Sequence, residues 1–196
     1  MRPLTRSLII ALVALLPAAC TLNEGANATA EPPVARWDHR PNAGNWTKAT
    51  LAAISTRGQA LVATPLSDVT TFCPGYPGAS EAEKQAFWVG IFSALAKHES
   101  TWNPQAAGAG GRYRGLLQIS PATARAYGCD AGALYEAEAN LSCAVNIASR
   151  QVAKTGKVAG GPGDWGGLAM DWGPMRNASK RAEIASWTRN QAYCQA

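Results

Sequence analysis

Charge is scarce in this 196-residue chain, with only 16% of residues Asp, Glu, Lys or Arg. Because 47% are hydrophobic, a disordered chain is excluded, and the surface must rely on Ser, Thr, Asn, Gln and Gly. Histidine is scarcer still, present only as His39 and His98. No Cys-x-x-Cys pair accompanies them, so the common zinc ligand sets are missing and neither metal nor other cofactor is expected. Alternation of apolar and polar residues with period two is nearly absent, which argues against a β-rich fold. A basic stripe is also lacking. The net charge of +5 falls to +3 once residues 1–19, with Arg2 and Arg6 and no acid, are set aside. That is too mild to point to nucleic acid. Beyond the first twenty residues no apolar run is long enough to span a bilayer.

What is present begins with five cysteines, an odd number for one domain with paired thiols. Arg2 and Arg6, the apolar run Leu8–Leu16 and the small residues Pro17-Ala18-Ala19 read as an export signal over 1–19. Leu15-Leu16-Pro17-Ala18-Ala19-Cys20 resembles a bacterial lipobox, with Pro17 where an aliphatic residue is usual. It implies lipidation at Cys20 and a membrane tether. The alternative is ordinary cleavage near Ala19, or after Ala26-Asn27-Ala28. The expected location is exported and periplasmic. Four cysteines remain, Cys73, Cys129, Cys143 and Cys194, and they allow three pairings. A local Cys129–Cys143 staple with a Cys73–Cys194 clamp on the C-terminus is the preferred one. The local loop is worth about 3 kcal/mol by chain entropy.

The pattern along the chain is helical. Residues 20–44 are rich in Ala, Asn, Gly and Pro without a period, and read as a flexible tether. Residues 45–79 form an N-terminal helical and loop segment expected to pack on the main domain, 80–196. Ser80-Glu81-Ala82-Glu83 is a capping box opening a helix to about Thr101. Residues 105–114 read as loop, and Ser120-Pro121 opens a short helix. Leu141, Val145, Ala148 and Val152 mark another helix. Trp165, Leu168, Ala169 and Trp172 again keep helical spacing, and a last helix runs from about Ser179 towards Tyr193. The expected class is mainly α, with at most a minimal β element.

Trp88, Phe92, Leu95 and Glu99 are spaced 4, 3 and 4, which puts them on one helical face. Glu99 therefore continues the apolar stripe. It also lies in the last turn, where the helix dipole disfavours an anion. Desolvation and the dipole both raise its pKa, and a carboxyl protonated near neutral pH can act as a general acid. The plain alternative is a helix-end Glu that faces water or pairs with Lys97 or His98.

His98-Glu99-Ser100-Thr101-Trp102-Asn103-Pro104, then Gly115-Leu116-Leu117-Gln118-Ile119-Ser120-Pro121-Ala122-Thr123-Ala124, then Asn140-Leu141 resemble the three ordered motifs of the soluble lytic transglycosylase (SLT) domain family. The resemblance covers roughly residues 80–195. It implies a lysozyme-like single domain that cleaves peptidoglycan glycan strands. Carried over by position, Glu99 is the single catalytic acid/base and Gln118 lines the glycan cleft. Gln118 can donate and accept, which suits an N-acetyl group or a sugar hydroxyl; the alternative is a turn residue satisfying backbone. Asn140 falls in the third motif and is taken with the substrate-binding set. Ser100 caps or buttresses, because it has no His or Asp partner. Two departures stand out. The family's Ser-x-x-Gly-Ala stretch is replaced by Ala107–Arg114, and its Ala-Tyr-Asn-Ala-Gly segment by Ala169-Met170-Asp171-Trp172-Gly173-Pro174. Asp171 or Trp172 then stands where the family has its tyrosine.

Among the seven Trp, Trp88 and Trp187 lie on apolar faces and are expected in the core. Trp102, Tyr113 and Trp172 lie in loops or near motifs and are the candidates for stacking on sugar rings. Arg112 and Arg114 can meet the carboxylates of peptidoglycan stems, or simply be solvated. The resemblance implies cleavage of the β-1,4 bond between N-acetylmuramic acid (MurNAc) and N-acetylglucosamine (GlcNAc), leaving 1,6-anhydro-MurNAc ends. The alternatives are a hydrolytic muramidase with Asp171 as second carboxylate, and a non-enzymatic peptidoglycan-binding envelope protein.

Overall fold

A computed structural model describes residues 31–195. The expected export signal of residues 1–19, Cys20 and the first part of the expected tether lie outside the described residues. The later part of that segment packs against the core. Ala35, Trp37 and Ala43 are buried, and the Trp37 indole N–H donates to the Thr47 hydroxyl over 2.9 Å. Trp37 also stands edge-on against Trp46, with ring centroids 5.9 Å apart. Burying one large aromatic contributes about 3 kcal/mol, enough to offset ordering a few residues of otherwise loop-like composition. The Arg36 backbone N–H donates to the Ser93 hydroxyl, which fastens this segment to the central helix.

Helix α1 (Ala43–Arg57) packs along α6 (Ala137–Thr155), and α2 (Gln59–Ala63) follows at once. The close approach needs Gly58, where a Cβ would come within 2.6 Å of Val145 Cγ1 and 2.8 Å of the Ile54 Cα. After α3 (Val69–Phe72), the capping box forms as expected. The Ser80 N–H donates to the Glu83 carboxylate, and the Glu83 N–H donates to the Ser80 hydroxyl. It opens α4 (Glu81–Ser100). All residues from Ala86 to Ala96 are buried, so α4 runs through the core with no wet face over that stretch. The expected stripe of Trp88, Phe92 and Leu95 is fully buried, but so are its neighbours.

Two small antiparallel hairpins are the β content among the described residues. The first pairs β1 (Ala107–Gly108) with β2 (Tyr113–Arg114). The second pairs β3 (Gly160–Gly161) with β4 (Asp164–Trp165). Between them lie α5 (Pro121–Ala126), capped by Ser120, and α6. The helix expected through Trp165–Trp172 is not one helix. It is a strand, a 3-10 turn over Gly167–Met170, and then α7 (Gly173–Arg176). Glycines explain the break: Gly167 sits at φ 47°, and a Cβ there would come within 2.2 Å of the Lys157 carbonyl. The Asp68 carboxylate also accepts the backbone N–H groups of Val158, Ala159 and Gly160, which holds this loop out of helical form.

Helix α8 (Ala178–Arg189), capped by Asn177, packs on α4. Trp88 is in the core as expected, whereas Trp187 is only partly buried against it. The two expected disulfides are present. Cys129–Cys143 staples the approach to α6, and Cys73–Cys194 clamps the C-terminus. The second spans 121 residues, a constraint on the unfolded chain worth on the order of 5 kcal/mol. One contiguous core runs from Ala35 to Cys194, which matches the expected mainly α single domain with minimal β structure. No helix among the described residues is long and apolar enough to cross a membrane.

Candidate functional site

Glu99 occupies the last turn of α4, just beyond the buried stretch. Burial raises its carboxyl to about 7, against a smaller downward pull from the Lys180 ammonium on α8. Among the described residues the carboxyl has no hydrogen-bond partner. The chain then leaves the helix through two consecutive left-handed residues, Thr101 at φ 52° and Trp102 at φ 57°. Neither is glycine, so the turn stores strain directly after Glu99. The Ser100 hydroxyl buttresses the turn by donating to the Ala96 carbonyl.

Lys97 and His98, the obvious local partners for Glu99, are engaged elsewhere. Both contact the Glu183 carboxylate on α8, as does Arg36. Burial disfavours charge on Glu183, but hydrogen bonds from Arg36 and Lys97, the Arg36 charge and His98 outweigh it and hold the carboxyl at about 2. Burial also lowers the His98 pKa, and the Glu183 carboxylate partly counters this. No sequence signal marked Glu183. Its partners lie 147, 86 and 85 residues away.

The second motif folds into a tight turn beside the first hairpin. Gln118, at φ 47°, donates both amide hydrogens to backbone, to the Ala106 carbonyl over 3.1 Å and the Gly115 carbonyl over 2.9 Å. The expected donor role towards substrate is therefore taken up by the fold, and Oε1 is left as the acceptor. That oxygen sits over Gly108, where a Cβ would lie 2.4 Å away.

Asn140 is fully buried and does not touch a cleft, contrary to its expected place in the substrate-binding set. Its Oδ1 accepts the Leu117 N–H, and its Nδ2 donates to the Arg114 and Leu134 carbonyls, each over 2.9 Å. Asn140 is thus a positioning residue for the Gln118 turn. Trp172 is likewise corrected from a stacking platform to a core residue. It is 3% exposed, and its indole N–H donates to the Leu117 carbonyl over 2.9 Å. Trp102 is half-buried. Its indole N–H donates to the Ser93 carbonyl, and its ring meets His39 edge-on at 4.5 Å. Tyr113 is 41% exposed, so its ring is free to stack.

Tyr113, Gln118, Asp171 and an edge of Trp172 line one recess. The Asp171 carboxylate accepts from the Gln151 amide over 2.8 Å. Partial desolvation raises its pKa above the usual carboxylate range, while Gln151 and the Arg176 charge pull it down. Among the described residues no three His, Cys, Asp or Glu side chains cluster as ligands.

Residues 78–170 match the family model described as Transglycosylase SLT domain. The chain is also similar to solved structures of Bd0314 DslA. The wild-type form is 28% identical with a TM-score of 0.76, and the match covers 84% of this chain and all of that one. Two glutamate-to-glutamine mutants of the same protein match equally well, at 28% identity with a TM-score of 0.77 and 27% with 0.76. No curated protein matches the chain at a significant level. The architecture is therefore lysozyme-like, as the sequence resemblance implied.

Proposed function

We propose, from the match of residues 78–170 to the transglycosylase SLT domain model, that the chain is a peptidoglycan lytic transglycosylase with Glu99 as its general acid and base. The observation that carries this reading is the Glu99 carboxyl itself: partly desolvated, unpaired and poised near neutral pH. Among the described residues Lys180 is the charge that acts on it, and its downward pull is smaller than the upward effect of burial.

In this mechanism the protonated Glu99 gives its proton to the glycosidic oxygen between MurNAc and GlcNAc as the C1–O bond breaks. Positive charge develops at C1 and is stabilised by the neighbouring N-acetyl oxygen, so a second protein carboxylate is not required. The Glu99 carboxylate then takes the proton from the muramoyl 6-hydroxyl. That oxygen closes on C1 and forms the 1,6-anhydro ring. Tyr113 stacks on a sugar and the Gln118 Oε1 accepts from a substrate N–H or O–H group. Export and a lipid anchor at Cys20 complete the proposal. Two disulfides fit an oxidising compartment.

A second reading is hydrolysis, with Asp171 activating water. It is favoured by one observation: Asp171 borders the recess that also holds Gln118 and Tyr113. Glu99→Gln is the first test. The variant should keep its helical circular dichroism and bind purified sacculi while releasing no soluble fragments. Release at the wild-type rate removes Glu99 from the chemistry.

A further inference from the structure

We infer that a groove carrying Arg112, Arg114 and Arg125 is a binding site for the carboxylates of peptide stems on the glycan strand. It rests on the peptidoglycan reading above and names the part of the substrate that this site takes. The groove is lined by these three arginines with Tyr113, Ser120 and Thr123, and no acid lines it. It shares Tyr113, Ser120 and Thr123 with the recess of Gln118 and Asp171, so the two are continuous.

The arginines are available. Among the described residues none of the three pairs with a carboxylate. Arg112 and Arg125 are exposed at the rims. Arg114 is held in place: its Nε donates to the Gly111 carbonyl over 3.2 Å, and its guanidinium lies 5.6 Å from the Tyr135 ring centroid. Holding the guanidinium this way removes side-chain entropy before binding and leaves its terminal nitrogens for a planar carboxylate. In a chain with so little charge, three arginines on one groove are a local concentration. Stem peptides carry free carboxylates along the strand, and they match the groove in sign.

Binding rather than turnover tests it, so that the chemistry does not matter. The full chain carrying Glu99→Gln is titrated onto intact sacculi and onto sacculi stripped of stems by an amidase. Intact material should bind roughly tenfold tighter, with the gap shrinking as salt rises. Adding Arg112→Ala and Arg125→Ala, with Arg114 left in place, should remove most of the preference for intact sacculi and leave stripped binding unchanged. The double lysine variant should keep part of the preference. Equal binding of the starting protein to both substrates overturns the groove alone, as does an equal loss on both in the alanine variant. Binding to neither substrate overturns the groove and the peptidoglycan reading together.

Discussion

His98 contacts the Glu183 carboxylate, and the next residue along α4 is Glu99. The pairing draws the Lys97 ammonium and the His98 imidazole, both in the last helical turn, towards one acid on α8. Glu99 is left without a partner and stays protonated up to about 7. A cation paired with Glu99 would instead have pulled its pKa down and spoiled it as an acid.

Glu183→Gln should therefore move the alkaline limb of the pH–rate profile to lower pH. Removing this anion and freeing Lys97 and His98 both favour ionised Glu99. The same variant should lose stability at pH 7. The Glu183 pKa is depressed from 4.5 to about 2, so its contribution is present above 4.5 and lost as pH falls towards 2. Glu183 is 34% exposed, and after discounting for screening the loss is on the order of 1 kcal/mol. Urea melts of the two proteins should differ at pH 7 and converge near pH 2.

Glu99→Gln should have the opposite sign on stability. A carboxyl raised from 4.5 to about 7 binds its proton more tightly in the folded state. Its contribution is full below 4.5 and is lost as pH rises through about 7. The neutral glutamine avoids the buried charge. Thermal melts should show the variant more stable than wild type at pH 8, by on the order of 2 kcal/mol, and equal to it near pH 4. A variant less stable at pH 8 would contradict a desolvated Glu99.

Asn140→Ala leaves the Leu117 N–H and the Leu134 carbonyl without their partner, while the Arg114 carbonyl keeps the Ile119 N–H. The cost should be about 3 kcal/mol or more. Since the Gln118 turn is what these bonds hold, kcat should fall even where the variant remains folded.

Trp172→Phe separates core from cleft. It keeps most of the packing and removes the bond to the Leu117 carbonyl, at a cost of about 1–2 kcal/mol. KM for glycan strands should stay within about twofold of wild type, because the ring is only 3% exposed. Tyr113→Ala should instead raise KM several-fold with little change in stability.

Local chemistry was legible in the sequence. The capping box at Ser80, the Ser120-Pro121 helix start, the helical class and the two cysteine pairings each depend on neighbours or on a small count of possibilities. The desolvation of Glu99 was legible because helical spacing put it in line with Trp88, Phe92 and Leu95. Burial was the harder quantity. Asn140 and Trp172 have the residue types of a binding site, but each spends its polar atoms on the turn that holds Gln118. The apolar spacing through Trp165–Trp172 matched a helix, yet Gly166 and Gly167 and the distant Asp68 imposed a turn. The segment 35–44 looked like a tether by composition until one residue, Trp37, found the core. Glu183 was invisible because its partners come from three distant stretches of chain.

Mass analysis of fragments released from purified sacculi by the wild-type chain, across pH 5 to pH 9, tests the assignment most directly. The muropeptides should end in 1,6-anhydro-MurNAc, lighter by one water than hydrolysed ends. Their yield should fall as pH rises through about 7, and Glu99→Gln should release none. Reducing MurNAc ends would contradict the lyase reading and favour Asp171 as a second carboxylate. Fragments released by Glu99→Gln would contradict the role of Glu99 itself.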